Sequence, residues 1–446
     1  MYPNLYYVFK DWFGVEWKAL FFLNTFGLLV AVSFLVAAMV LTSELRRKEK
    51  KGLLLPIEEM ITIGKPASIM DLLSNGLMGF FFGFKLIGLL FFKPDNLNAQ
   101  EYIFSKQGSV IGGVLIAAVL IAIKWWEKNK QRLKEPERRI VRIWPHDRVG
   151  DFVVLGLIFG ILGSKLFDNF EHWDQFIQHP IESLLSPSGL TFYGGLILAS
   201  IVIIWYANKK EIIIRHLVDA AAPALMIAYA IGRLGCQISG DGDWGIFNSA
   251  YVNDEAGKMI VAKPIDFQNA LEKNASYFIE GKVFKGANIQ YVTDRTYPSL
   301  QDVPHCNFKG PSFLPIWFYA YNYPQNVNND GVVLPGIKDE HNRVIPLPVF
   351  PTPLYEAIIC TLLFLVMWTV RKKINAPYFM FGFYLLLNGA ERILIEYMRV
   401  NRPYSILGIK STQAQFIAGL LVIAGVIMMW GATVRYQNTS LQQNED

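Results

Sequence analysis

Arginine and glutamate recur in this 446-residue chain at points where apolar residues surround them. The densest case is Gly389-Ala390-Glu391-Arg392-Ile393-Leu394-Ile395-Glu396-Tyr397-Met398-Arg399. Helical spacing puts Arg392, Glu396 and Arg399 on one face, at i, i+4 and i+7. Two arginines facing an apolar cavity suit an anionic head group, because guanidinium groups grip phosphate through parallel hydrogen bonds and stay charged at any relevant pH. The plainer alternative is a structural ion pair that locks the helix, with Glu396 tying down one arginine while another stays free. A second cluster is Gly232-Arg233-Leu234-Gly235, followed by Cys236 and the run Gly240-Asp241-Gly242-Asp243-Trp244-Gly245. An arginine at the end of an apolar run, then a glycine-rich bend with two acids, describes a backbone-lined pocket. Its plain alternative is a helix exit with a snorkelling arginine. Thr191-Phe192-Tyr193-Gly194-Gly195 opens a third helix, and Pro353-Leu354-Tyr355-Glu356 a fourth, with Glu356 read as a carboxylate at the helix N-terminus.

These charges matter because of the elements that carry them. Hydrophobic residues make up 52% of the chain and charged residues 18%, against roughly 25% charged in a typical soluble domain, and the mean hydropathy is +0.28. That composition excludes a disordered chain. Lys and Arg exceed Asp and Glu by only 42 to 37, too little for a polyanion-binding surface, so no nucleic-acid partner is expected. Apolar segments near 18–41, 70–92, 109–126, 150–167, 190–207, 216–235, 354–370, 378–398 and 413–434 predict an all-α polytopic membrane protein with about nine transmembrane helices. The first run has no basic segment ahead of it; Arg46-Arg47-Lys48 follows instead, so it reads as a retained helix. Basic residues concentrate in alternate connections, around Arg46–Lys51, Lys128–Arg148, Lys209–Arg215 and Arg371–Lys373, which predicts an N-terminus outside and a cytoplasmic C-terminus. Residues 240–352 contain no span and many turn-forming residues, and read as an inserted extracytoplasmic domain. A charge within a span costs about 2.5–3.5 kcal/mol, and the topology puts all four clusters on the outer side, so they are the candidate site. Three cysteines without a C-x-x-C pair and six histidines without a ligand pair indicate neither a disulfide framework nor a metal site, and no cofactor is expected.

An internal echo adds to this plan. Asp71, Gly76, Gly83 and Lys85-Leu86 recur as Asp151, Gly156, Gly163 and Lys165-Leu166, at an offset of 80, and Gly112-Gly113 matches Gly194-Gly195. The pattern predicts a parallel repeat of a helix pair. The expected organisation is a first helix with its basic end (1–52), an extra duplicated pair and linker (53–142), core helices (143–239), the inserted domain (240–352), the C-terminal core helices (353–434) and a cytoplasmic tail (435–446).

Taken in order, the Tyr-Gly-Gly helix start, Gly-Arg-Leu-Gly with its Gly-Asp-Gly-Asp-Trp-Gly sequel, Leu-Tyr-Glu and Arg392-x3-Glu396-x2-Arg399 resemble the bacterial prolipoprotein diacylglyceryl transferases. The resemblance covers residues 145 to about 434 and the first helix. It implies a multi-pass enzyme of the inner membrane that moves a diacylglyceryl group from phosphatidylglycerol to the lipobox cysteine thiol of a prolipoprotein. The bilayer, the lipid and the prolipoprotein signal peptide are thus the implied partners. By resemblance, Arg233 and Arg392 would hold the phosphate and offset its charge. Arg399, Gly194, Gly195, Gly240, Asp241, Gly245, Glu356 and Glu396 would complete the substrate site. Tyr193, the third catalytic candidate beside Arg233 and Arg392, stands where the family commonly has histidine; a phenol, with an ordinary pKa of about 10, can donate or accept a hydrogen bond, or act as base if an arginine lowers its pKa, but does not carry over a histidine mechanism. Cys236 replaces a frequent asparagine, and Phe26 a frequent tyrosine. The alternative is a transporter of an anionic or lipid substrate built on the parallel repeat.

Overall fold

A computed structural model describes all residues except 92–101, 103, 104, 187–190, 243, 281–296, 298, 338, 401–403, 407, 408 and 446, so Asp243 lies outside the described residues. Among those described, eight helices are long and apolar enough to cross a membrane. They are α1 (Thr25–Lys50), α2 (Ile69–Phe91), α3 (Val110–Lys130), α4 (Val149–Glu171), α5 (Phe192–Lys209), α6 (Ile214–Ser239), α7 (Thr352–Val370) and, after α8 (Phe379–Glu396), the long α9 (Gln413–Glu445). Helix α8 has the length of a span, but Glu391, Arg392 and Glu396 lie within it. The chain is an all-α polytopic membrane protein. The first span begins later than its hydropathy predicts. Residues Lys18–Phe22 form a separate 3-10 turn, and Asn24 then caps α1 by accepting from Gly27 N–H at 3.2 Å. The basic cluster forms the last turns of α1, where cations complement the helix dipole.

The chain divides into two compact units. One comprises Met1–Phe13, Asn24–Leu53 and Ile213–Asp446, and so holds α1, α6–α9 and the inserted domain. Helix α6 packs against α1, α7 and α8, and α8 against α9. Small residues bring these helices close: a methyl group at Gly235 would lie 3.2 Å from Leu29 Cβ, and one at Gly389 2.7 Å from the Ala418 carbonyl oxygen. Ala222, Met226 and Ala230 of α6 meet Cys360 and Met367 of α7 and Met380 of α8 in a shared core. At the start of α6, the buried Asp219 accepts from Tyr378 N–H (2.8 Å) and Phe381 N–H (2.9 Å), which satisfies the beginning of α8. Glu44 of α1 accepts from Arg47 and from Arg371 at the end of α7, so the basic helix ends also join helices to one another.

The inserted domain has its own core of Trp244, Phe247, Val252, Phe267, Leu271, Phe278, Val303, Tyr323, Ile345, Leu347 and Val349. Short two-stranded pairings and the helix Pro264–Lys273 frame it. Buried asparagine amides replace regular ladders: Asn248 donates to the carbonyls of Phe308 and Tyr319, each at 2.9 Å. The Met1 amino group donates to Pro324 O and Tyr2 N–H to Ile238 O. Cys236, Cys306 and Cys360 form no disulfide with one another.

The second unit, Gly14–Leu23 and Leu54–Ile212, contains two similar halves. Strands β1 (Ile57–Ile63) and β2 (Glu137–Ile143) pair antiparallel with Met60 opposite Ile140, so each strand pairs with its own counterpart at an offset of 80. Helices α2 and α4 keep that offset at both ends. Where α2 crosses α3, a methyl at Gly83 would stand 2.3 Å from the Gly112 carbonyl oxygen; where α4 crosses α5, one at Gly163 would stand 2.4 Å from that of Gly194. Lys85 donates to the carbonyls of Tyr102, Ser105 and Gln107 at 2.6–2.9 Å, a structural use of an intramembrane charge. The glycine contacts generate a test. Gly163→Ala should lower stability in detergent by about 1–3 kcal/mol, because backbone atoms block the added methyl. Gly160→Ala, with open space around its position, should match the wild type in the same unfolding assay.

Candidate functional site

Three helices of the first unit deliver charges to a common point. Glu356 lies in the second turn of α7, which starts four residues earlier at Thr352 behind Pro351. It is therefore not the N-terminal helix carboxylate that its sequence position suggests, and its partners are side chains. Its exposure is 0%, and three arginines surround it. Arg233 Nε, near the end of α6, is 2.5 Å from Glu356 Oε2. Arg392 Nη1 on α8 is 3.9 Å from the same oxygen, and Arg399 Nη1, just beyond α8, is 3.9 Å from Oε1. Tyr229, one turn before Arg233, donates its hydroxyl hydrogen to Glu356 Oε2 at 2.7 Å and sets its ring 5.4 Å from the Arg233 guanidinium carbon.

Glu396 closes the other side. Its Oε2 is 3.2 Å from Arg392 Nη2, the i, i+4 contact that the spacing predicts, and Thr412 donates to its Oε1 at 2.8 Å. Arg392 is thus held on one nitrogen, while its Nη1 is buried without a hydrogen bond, as is Glu356 Oε1. Charged groups at membrane depth are tolerated when paired, and here the pairing is incomplete at a few atoms. An arrangement of this kind can accept an anion: donors are already oriented, and their guanidinium groups are largely withdrawn from the surface.

The glycine-rich turn after α6 stands beside this cluster through backbone contacts. Gly240 ends α6 in the left-handed region (φ 71°), and a methyl there would meet Asn326 Cβ at 2.8 Å. Asp241 N–H donates to Cys236 O. Gly245 forms an isolated bridge with Arg399; its N–H donates to Phe350 O and the next N–H, of Ile246, to Met398 O. A methyl at Gly245 would lie 2.8 Å from Met398 O and 2.9 Å from Phe350 O. Phe26 packs against α6 at Gly235.

Tyr193, Gly194 and Gly195 belong to the second unit, at the start of α5. The two glycines make the crossing with α4: a methyl at Gly194 would lie 2.4 Å from Phe167 Cβ, and one at Gly195 2.3 Å from Ser164 Oγ. Tyr193 is exposed, and its ring stands T-shaped to that of Phe192. Of the four sequence clusters, those of Arg233, Glu356 and Arg392–Arg399 meet in one place. Two members were not marked by sequence reasoning. Tyr229 gives only the weak signal of a polar tip one turn from an arginine. Glu391, 2% exposed, gives a stronger one, a second acid inside an apolar run.

Residues 115–431 match the family model described as prolipoprotein diacylglyceryl transferase. The chain is similar to the phosphatidylglycerol–prolipoprotein diacylglyceryl transferase of Leptospira interrogans, at 26% identity over 314 residues, covering 65% of this chain and 69% of that protein. It is likewise similar to the enzyme of that name from Streptococcus pyogenes, at 24% identity over 284 residues, 64% of this chain and 78% of that protein.

The charge network predicts strong coupling. Glu356→Gln should destabilise the bundle by about 3–5 kcal/mol, since it leaves arginines buried without a counter-charge. Adding Arg233→Gln should restore part of that loss in denaturant melts; simple addition of the two losses would show that the pair is not coupled.

Proposed function

The chain belongs to the prolipoprotein diacylglyceryl transferase family, and we propose that it transfers the diacylglyceryl group of phosphatidylglycerol to the lipobox cysteine of a prolipoprotein at the site around Glu356. The observation that carries this assignment is the incomplete bonding of Arg392, whose buried Nη1 has no hydrogen-bond acceptor beside a carboxylate shared by three arginines. A phosphodiester supplies the missing acceptor. Arg392 and Arg233 hold it, Arg399 adds positive potential, and Glu356 and Glu396 keep the guanidinium groups from repelling one another. Gly240, Asp241 and Gly245 shape the wall, Gly245 by letting three backbone segments approach.

In the transfer, the substrate thiol gives up its proton, which ends in water or on the released glycerol phosphate, and its sulfur forms a bond to the diacylglyceryl carbon that carries the phosphate. The carbon–oxygen bond breaks, and glycerol phosphate leaves with the electron pair. No side chain of the enzyme needs to be the nucleophile. The arginines stabilise negative charge as it concentrates on the departing phosphate, in a setting where water does not screen them. Tyr193 occupies the family's histidine position, and we assign it a hydrogen-bonding role, with Gly194 and Gly195 setting its helix. The alternating basic segments support an inner-membrane protein with its N-terminus outside and the inserted domain on the same side. The shared offset of β1–α2 and β2–α4, with matching glycine crossings, supports an internal duplication. The transporter alternative needs polar groups in both helix pairs. Ile111 precedes Gly112 where Tyr193 precedes Gly194, and Lys85 is consumed by backbone carbonyls.

Purified protein incubated with phosphatidylglycerol and a lipobox peptide should yield the thioether-linked diacylglyceryl peptide by mass spectrometry, with glycerol phosphate as co-product. Arg233→Ala and Arg392→Ala should each lower the rate at least 100-fold while the bundle stays folded. Full-rate transfer by either variant would remove that residue from the phosphate site.

A further inference from the structure

Glu391 is the one carboxylate of the site that nothing holds. Neither of its oxygens has a hydrogen-bond partner, although the residue is 98% buried. It follows Met380, Tyr384 and Leu387 on the face of α8 that packs onto Ala222, Met226 and Ala230 of α6 and Cys360 of α7, so it stands where that apolar core gives way to the arginines. The charged and titratable groups acting on it come from three helices. Arg233 and Tyr229 belong to α6, Glu356 and Cys360 to α7, and Tyr384 and Arg392 to α8 itself, with Arg399 just past its end. Helix α9, packed on the Gly389 face, contributes no charge between residues 413 and 434.

The cluster holds three arginines and three glutamates. With every group ionised it is neutral, and an arriving phosphodiester adds one negative charge in a region of low dielectric. Two of the carboxylates are committed: Glu356 to Arg233 at 2.5 Å and to the Tyr229 hydroxyl, Glu396 to Arg392 at 3.2 Å and to the Thr412 hydroxyl. Only Glu391 can become neutral without breaking a bond.

We propose that Glu391 takes up one proton as the anionic lipid headgroup enters, so that headgroup binding and protonation are a single event. This deepens the phosphatidylglycerol reading of the site and rests on it. The enzyme would thereby balance the substrate's charge without releasing an arginine. By linkage, headgroup affinity then falls as pH rises past the point at which free Glu391 loses its proton.

Two measurements test this. In vesicles with saturating lipobox peptide, the wild-type KM for phosphatidylglycerol should rise with pH, approaching tenfold per unit at the alkaline end. Glu391→Gln, neutral at every pH and of the same shape, should show a low and flat KM. Separately, at a pH within the range where the wild-type KM rises, mixing detergent-solubilised wild type with phosphatidylglycerol in a weakly buffered indicator dye should take up about one proton per lipid bound, and the net-neutral phosphatidylethanolamine none. The dye measurement uses the wild type alone and decides the matter even where Glu391→Gln does not fold. A wild type that transfers normally but takes up no proton overturns the proposal and leaves the function standing, as does a Glu391→Gln enzyme whose KM climbs with pH like the wild type's. A wild type that forms no thioether adduct overturns the functional assignment itself, and this proposal with it.

Discussion

A carboxylate with no exposure to water, facing three guanidinium groups, is the constraint to which the first unit is fitted. Charges removed from water are costly unless their partners are close and well oriented. Glu356 meets that condition by receiving one arginine from α6, one from α8 and one from the segment after α8. Each helix can satisfy its own charge only by sitting where the others place theirs. The glycine contacts of α6 with α1 and of α8 with α9 set the spacing, and the core of Met226, Cys360 and Met380 fixes depth. The site and the bundle are therefore one packing problem. Three arginines exceed what one carboxylate can bond, and Glu396 takes up part of that excess through Arg392.

The sequence was readable where the membrane restricts the options. Lipid forces exposed backbone into helices, so apolar runs announced the spans, and the cost of a buried charge singled out Arg233, Glu356, Arg392 and Glu396. The same cost applies to Lys85, whose acceptors are carbonyls 17 to 22 residues away, a convergence that no periodicity signals. Tyr229 escaped notice because a tyrosine in an apolar helix is ordinary until its hydroxyl is seen against Glu356. Glu391 was hidden by its neighbour, although adjacent residues on a helix point in different directions. The start of α1 was misplaced by seven residues because hydropathy cannot register Asn24 as a cap.

Residues 240–352 gave the least away. Outside the helix Pro264–Lys273 they show neither the 3.6-residue nor the two-residue period, and their core gathers aromatics scattered from Trp244 to Tyr323 around asparagine-to-carbonyl bonds. The second unit is the opposite case. There the offset of 80 written in the sequence becomes a register, with Met60 and Ile140 opposite each other at the centre of the pairing. The family match begins at residue 115, within α3, so β1 and α2 lie ahead of the matched region while pairing and packing with parts inside it.

Gly245 has a mechanical consequence. Its backbone is sewn to Phe350, just before the helix of Glu356, and the next residue to Met398, just before Arg399. The inserted domain therefore enters the bundle through a seam shared by a carboxylate and by the arginine opposite it. A domain attached in this way works as a yoke and not as a hinged flap: a force applied to it reaches both sides of one ion pair together. The 3.9 Å separation of Glu356 and Arg399 is thus set by the same segment of the inserted domain on both sides.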